Sequence, residues 1–150
     1  MTTTTVTTTA LSAARVASAL DLLEGAAASL VEASHAGQIT ERYAEAHLAA
    51  LRAAAAVLAA HPPRAGGGSP RNIWELVPAI APELVEWAEF FAYSSRRRWA
   101  IADGIELATA READDLLRAA ADFLELVRGT LGLPPRAGRS SAPLRLTPAG

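Results

Sequence analysis

The apolar positions along this chain recur at helical spacing and predict an all-α protein. One stripe predicts a first helix over about residues 10–34, and its members are Val16, Leu20, Leu23, Ala27 and Leu30. The same spacing predicts long helices over about residues 40–60, 80–103 and 109–131, and a short helix that meets Pro78. No segment alternates apolar and polar residues at period two, so no sheet is expected.

Residues with strong positional preferences indicate where these helices begin and end. Capping boxes at Asn72–Glu75 and Thr109–Glu112 predict the starts of two helices. Thr40 is a candidate N-cap for a third. Gly37 and Gly104 are suited to ending the helices that precede them.

The connections between the helices predict the architecture. Residues 62–71 are rich in Pro and Gly and are expected to cross between two helical hairpins. Short connections between long amphipathic helices favour an antiparallel four-helix bundle with one additional short helix, over residues 10–131. The terminal segments 1–9 and 132–150 are expected to be disordered tails.

The composition excludes several classes of protein. The 150 residues contain no Cys and no Lys and carry a formal net charge of −2. Thiol catalysis, Cys-ligated metals and Lys-based phosphate loops are therefore excluded, and a protein that chiefly coats nucleic acid is disfavoured. We expect no cofactor, no metal and no membrane span, and a cytoplasmic location is the default.

The candidate catalytic residues are Arg42 and His47. An Arg followed at this spacing by a His occurs in metal-independent endoribonucleases, where His moves the proton of a ribose hydroxyl and Arg stabilises charge on the phosphate. Five residues advance a helix by about 140°, so the two side chains do not share a face. The simpler interpretation is a core histidine, which we expect to be mostly buried and bonded to a carboxylate or carbonyl.

The candidate binding residues are Tyr43 and the basic run Arg96, Arg97 and Arg98. Tyr93 and Trp99 flank the run and could stack on bases while Arg contacts phosphate. A solvated face or internal ion pairs are the simpler interpretation, because three consecutive helical residues point in different directions.

Two further sets of side chains are candidates for a role in packing or in ion binding. The tryptophans at positions 74, 87 and 99 are expected to be core or interface anchors. Acidic residues of the last helix could bind a divalent cation, although they lack the Glu-x-x-His pairs of a di-iron site; they are Glu112, Asp114, Asp115 and Asp122.

The order of elements resembles the HEPN family of small α-helical domains, and in particular an Ala-rich, SAV-type actinobacterial branch. The stretches that carry the resemblance are residues 41–58, 73–76, 81–91 and 111–118. The resemblance implies a four-helix bundle that is often a homodimer, and a protein that binds or cleaves RNA or serves as an interaction module. The residue after the motif arginine is usually polar in the ribonucleases, whereas here it is Tyr43.

These observations lead to one main hypothesis and two alternatives. The main hypothesis is a non-catalytic binding or regulatory domain whose ligand is RNA or a nucleotide. The first alternative is a metal-independent, toxin-like endoribonuclease that uses Arg42 and His47 at a dimer seam. The second is a module that docks a protein partner through its Trp and Phe face without contacting nucleic acid.

Overall fold

The computed structural model describes residues 3–63 and 72–136, with side chains described from Ser12 onward. Every regular element in these ranges is helical, so the predicted all-α class is confirmed. The helices are α1 (Thr3–His35), α2 (Ile39–Ala60), α3 (Ile73–Ile80), α4 (Val85–Ala102) and α5 (Ala110–Thr130), with a 3₁₀ turn (Pro82–Leu84) before α4.

Helix α2 is the centre of the bundle and packs against each of the other four helices. Its N-terminus meets that of α5, where Arg42 bonds Asp114, and its C-terminal Ala60 lines a cavity together with Leu131. Helices α2 and α5 therefore run parallel.

Helices α1 and α2 run antiparallel, because Arg42 at the start of α2 bonds the turn after α1 and Arg52 further along bonds Gly25. Helices α4 and α5 also run antiparallel, because Arg97 near the end of α4 bonds Glu112 at the start of α5. These directions agree with the predicted antiparallel bundle.

The interface between α1 and α2 is built largely of alanine. The buried side of α2 includes six alanines. The buried described residues of α1 and of the turn after it are Ala19, Leu23, Ala26, Ser29, Leu30, Ala33 and Ala36. Small side chains let the two backbones approach closely. Arg52 fills the gap at Gly25, where its guanidinium donates to the Gly25 carbonyl at 3.1 Å and to the Ser29 hydroxyl at 2.6 Å.

The predicted stripe of α1 is partly wrong. Leu23 and Leu30 are buried as expected, but Val16 and Leu20 are exposed and alanines take their place in the core. With alanine at so many positions, the few large residues do not mark the buried side, because alanine can pack on either face of a helix without cost.

Aromatic side chains fill the opposite side of the bundle, where α3, α4 and α5 meet. Phe91 lies at the centre of this cluster, with ring centroids 5.0 Å from Phe123 and 5.3 Å from Trp74. Trp87 is 5.9 Å from Phe123 and completes the cluster. Trp74 and Trp87 are thus core anchors, whereas Trp99 is 65% exposed and the prediction that it faces the core is wrong.

The local start signals are confirmed at two of three helices. The Asn72 side chain accepts hydrogen bonds from the amides of Trp74 and Glu75, and Thr109 Oγ1 accepts from the amide of Glu112 at 3.1 Å. The prediction for Thr40 is wrong, because α2 begins one residue earlier and Gln38 is its N-cap, without a side-chain bond.

Prolines explain the boundary that was predicted least well. The long fourth helix was expected from residue 80, but α3 continues through Pro78 to Ile80 and α4 starts at Val85. Pro82 disfavours helical geometry at the residue before it, and Ala81 accordingly has φ −128° and ψ 85°. The break therefore lies at Ala81.

The ends of the bundle also differ from expectation. Helix α1 begins at Thr3 rather than residue 10, in keeping with the small cost of extending a helix that has already formed. Gly104 ends the turn after α4 with φ +72°, a backbone conformation that suits glycine. Two predicted segments lie mostly outside the described ranges: the crossover, at residues 64–71, and the C-terminal tail, at residues 137–150.

In the part of the chain that is described, no helix is long and apolar enough to cross a membrane.

Candidate functional site: the Arg42–His47 pair and the groove between α4 and α5

His47 lies on the core side of α2 and is fully buried, as predicted. Its ring packs 6.3 Å from that of Trp74. Neither ring nitrogen has a hydrogen-bond partner among the described residues, so the expected bond to a carboxylate or carbonyl is wrong. Burial, aided by the positive charge of Arg98, lowers the pKa of His47 to about 4. The imidazole is therefore neutral at physiological pH and is not in contact with solvent.

Arg42 faces away from His47 and bonds to other parts of the bundle. Its Nη1 donates to Asp114 Oδ1 at 2.6 Å and its Nη2 to the Ala36 carbonyl at 3.1 Å. These bonds connect the start of α2 to the start of α5 and to the turn after α1. Within this chain, the guanidinium and the imidazole thus do not point at a common position.

The basic run of α4 is divided between the interior and the surface. Arg97 turns inward and is partly buried, Arg96 is exposed, and the guanidinium of Arg98 lies 5.8 Å from the centre of the Trp99 ring. The simpler interpretation was a solvated face or internal ion pairs. Arg97 has the internal ion pairs and Arg96 has the solvated position.

Arg97 connects the end of α4 to the start of α5. Its Nε donates to Glu112 Oε2 at 2.8 Å, its Nη2 to the Leu107 carbonyl at 3.0 Å, and its Nη1 pairs with Glu106. The hydrogen bond from Arg97 lowers the pKa of the Glu112 carboxyl below its ordinary value. One guanidinium thus connects the α4–α5 loop to both helices, in addition to the backbone hydrogen bonds between the start of the loop and the end of α4.

A half-open groove of about 270 Å³ lies between α4 and α5 beside this ion-pair network. Its lining is mainly aromatic and acidic, and consists of Tyr43, Phe90, Tyr93, Ser94, Arg97, Glu112, Asp115 and Leu116. Tyr43 is buried at the base, and burial raises the pKa of its phenol above the ordinary value. Phe90 and Tyr93 are 44% and 57% exposed, so their rings are open to a ligand.

A second surface runs along the outer side of α4 and consists of Tyr93, Arg96 and Trp99. We call it the α4 stripe. These residues are spaced three apart, so they follow one another around the helix surface. All three are exposed, and Arg98 covers one side of the Trp99 ring. The stripe thus offers two aromatic rings with an arginine between them.

The structure brings together some of the sequence-predicted site residues and not others. Tyr43 and Arg97 both line the groove, whereas Arg96 belongs to the α4 stripe and Arg98 to its edge. Phe90, Ser94 and Leu116 also line the groove, although no motif in the sequence identifies them as site residues. A signal for Phe90 existed, because Phe90 and Phe91 are adjacent on one helix and only one of them can face the core.

The acidic residues of α5 do not form a metal site. Among the residues whose positions are described, no group of three or more His, Asp or Glu side chains could hold an ion. Glu112, Asp114 and Asp115 instead pair with Arg97, Arg42 and Arg118.

One comparison with known proteins gives a match. A family model described as SAV_6107-like HEPN matches residues 33–128, which include all of α2, α3 and α4 and nearly all of α5. No curated protein and no solved structure matches the chain.

Proposed function

Because the chain belongs to the SAV_6107-like HEPN family, we propose that it is a non-catalytic binding domain that holds single-stranded RNA or a nucleotide on the α4 stripe. The observation that carries the proposal is the exposure of Tyr93, Arg96 and Trp99 on one side of α4. Aromatic rings stack on bases and an arginine between them contacts phosphate, which is the usual chemistry of single-strand recognition.

The surroundings of Arg42 and His47 support binding without catalysis. A general base must reach the proton that it removes, and a buried, neutral His47 has no access to a ribose hydroxyl. Arg42 donates from Nη1 to Asp114 and from Nη2 to the Ala36 carbonyl, and its Nε is buried. Both residues thus have structural roles that explain their presence in α2.

The charge of the protein limits the expected affinity. The formal net charge is −2, and Glu89 is exposed one helical turn before Tyr93. Few phosphate contacts are available, so binding should be weak and should fall only moderately with added salt.

The proposal also includes a homodimer and a cytoplasmic location, as expected from the sequence.

Fluorescence anisotropy of a fluorescein-labelled, 20-nucleotide single-stranded RNA tests the proposal. Trp99→Ala is expected to weaken binding by roughly 5- to 150-fold, the range for loss of one stacked base. Arg96→Ala should weaken it and reduce the salt dependence by about one phosphate contact. Arg111→Ala is the matched control, because Arg111 is 90% exposed on α5 and outside the stripe.

The outcomes of this titration separate the alternatives. Equal weakening by Arg96→Ala and Arg111→Ala would mean that charge alone attracts the RNA and that the stripe has no special role. An absence of binding at low salt, to the RNA and to ATP, would contradict the proposed ligand and favour the protein-interaction alternative.

A further inference from the structure

The groove between α4 and α5 differs from the α4 stripe in its charge. Glu112 and Asp115 line the groove, and Glu86 is exposed one helical turn before Phe90 on the same face of α4. Arg97, the cationic side chain of the lining, is balanced by Glu106 and Glu112. Arg111 and Arg118 lie beside Asp115 in the same way, so these pairs nearly cancel. Glu86 has no ion pair among the described residues, and the small excess of negative charge favours a cation over a phosphate.

The walls of the groove favour a particular kind of cation. Phe90 and Tyr93 expose aromatic surface, and the face of such a ring attracts a guanidinium or an ammonium group. Arginine suits this setting best, because its planar guanidinium stacks on a ring and still donates to a carboxylate from its edge. Asp115 accepts from Arg118 through Oδ1, whereas its Oδ2 is 4.0 Å from Arg111, beyond hydrogen-bond distance.

The surface beside the groove is suited to a chain that continues on either side of the arginine. Arg97 donates to the Leu107 carbonyl, so the α4–α5 loop borders this end of the groove. The loop exposes Ile105 and Leu107, which are 76% and 87% exposed. Exposed apolar side chains next to a polar site are typical of a protein-contact surface.

From these features we propose that the groove binds an arginine side chain from a basic segment of a partner protein. The guanidinium lies against Phe90 and Tyr93 and donates to Asp115, and apolar residues next to the arginine contact Ile105 and Leu107. This site shares Tyr93 with the proposed RNA contact and otherwise consists of different residues.

Nuclear magnetic resonance with the full ¹⁵N-labelled chain tests the proposal directly. The probe is a blocked pentapeptide, Ala-Leu-Arg-Leu-Ala, and its control is the same peptide with citrulline, which has the shape of arginine without its charge. The arginine peptide should shift amides within residues 90–97 and 105–116. The citrulline peptide should bind at least fivefold more weakly.

Two matched variants locate the contact on the protein. Asp115→Asn should weaken binding of the arginine peptide at least fivefold, and Asp122→Asn, two turns further along the same side of α5 and exposed, should leave it unchanged. Both variants keep a polar side chain of the same size, and their spectra show whether the fold is retained.

Several results would overturn the proposal. They are an absence of binding, equal binding of the citrulline peptide, or equal effects of Asp115→Asn and Asp122→Asn. Concentration-dependent broadening of the same amides without peptide, relieved by Asp115→Asn, would assign the groove to a second copy of this chain instead. Because the RNA titration relies on Arg96 and Trp99, a failure here leaves that proposal standing.

Discussion

Arg42 and Asp114 join the N-terminal ends of the two parallel helices α2 and α5, with 2.6 Å between Nη1 and Oδ1. Five residues further along α2, His47 lies in the core without a polar partner among the described residues. The two residues that resemble a ribonuclease motif therefore have separate structural roles. Arg42 connects two helices through its bond to Asp114, and His47 packs in the core.

Replacement of Arg42 should cost stability and leave RNA binding unchanged. Arg42→Ala removes the bond to Asp114 and the bond to the Ala36 carbonyl, and we expect the free energy of unfolding to fall by about 1–2 kcal/mol. Asp114→Asn should cost less, about 0.5 kcal/mol, because the carboxylate is half exposed. Urea titrations measure both, and an equal or larger loss for Asp114→Asn would contradict the connection as described.

Burial of neutral His47 predicts a loss of stability in acid. The pKa of His47 is about 4 in the folded state and about 6.5 in the unfolded chain, so between these values the unfolded state binds the additional proton. Stability should thus be unaffected above pH 6.5 and should fall as the pH drops towards 4, by roughly 3 kcal/mol in total.

The His47→Leu variant isolates this effect. Between pH 6.5 and 4, the free energy of unfolding of wild type should fall in urea titrations. That of the variant should lack the part of this fall that protonation of His47 causes. His35→Ala is the control, since His35 is exposed at the end of α1. If His47→Leu and wild type lose stability in parallel over this range, the imidazole is not held neutral in the core.

The single guanidinium of Arg97 should control the order of the α4–α5 loop. Arg97→Ala removes the bonds to Glu106, Glu112 and the Leu107 carbonyl. We expect faster hydrogen exchange of the amides in residues 103–109, with little change in α1. Arg98→Ala is the control, and exchange that is unchanged in Arg97→Ala would contradict this role.

The alanine interface between α1 and α2 should resist larger side chains. Ala26 is fully buried there, and Ala26→Val is expected to lower the free energy of unfolding by about 1–3 kcal/mol through overpacking. Ala28→Val, on the exposed side of the same helix, should cost only the difference in helix propensity, well under 1 kcal/mol. Similar losses for the two variants would contradict close packing at Ala26.

The features that were predictable from sequence depend on local chemistry. The caps Asn72 and Thr109 act on amides two or three residues away, so a short motif suffices to identify them. The buried side of α5 can be identified in the same local way, because Leu116, Leu124 and Val127 recur at helical spacing in a segment whose other face carries charged residues.

The features that were missed depend on packing between elements. Helix α1 buries Ala19 and Ala26 and exposes Val16, which no count of large apolar residues could indicate. The groove could not be predicted because its walls come from separate helices. Phe90 and Asp115 line the same groove only because α4 and α5 lie antiparallel to each other. Trp99 was expected to be a core or interface anchor, and it is exposed because it lies beyond the aromatic cluster.

The most direct test of binding without catalysis is the length of RNA recovered from the protein. Labelled single-stranded RNA is incubated with the purified chain in EDTA, and the bound fraction is analysed on a denaturing gel. Our account predicts full-length RNA for wild type and for His47→Gln alike. Cleavage by wild type that is lost in both His47→Gln and Arg42→Ala would contradict it.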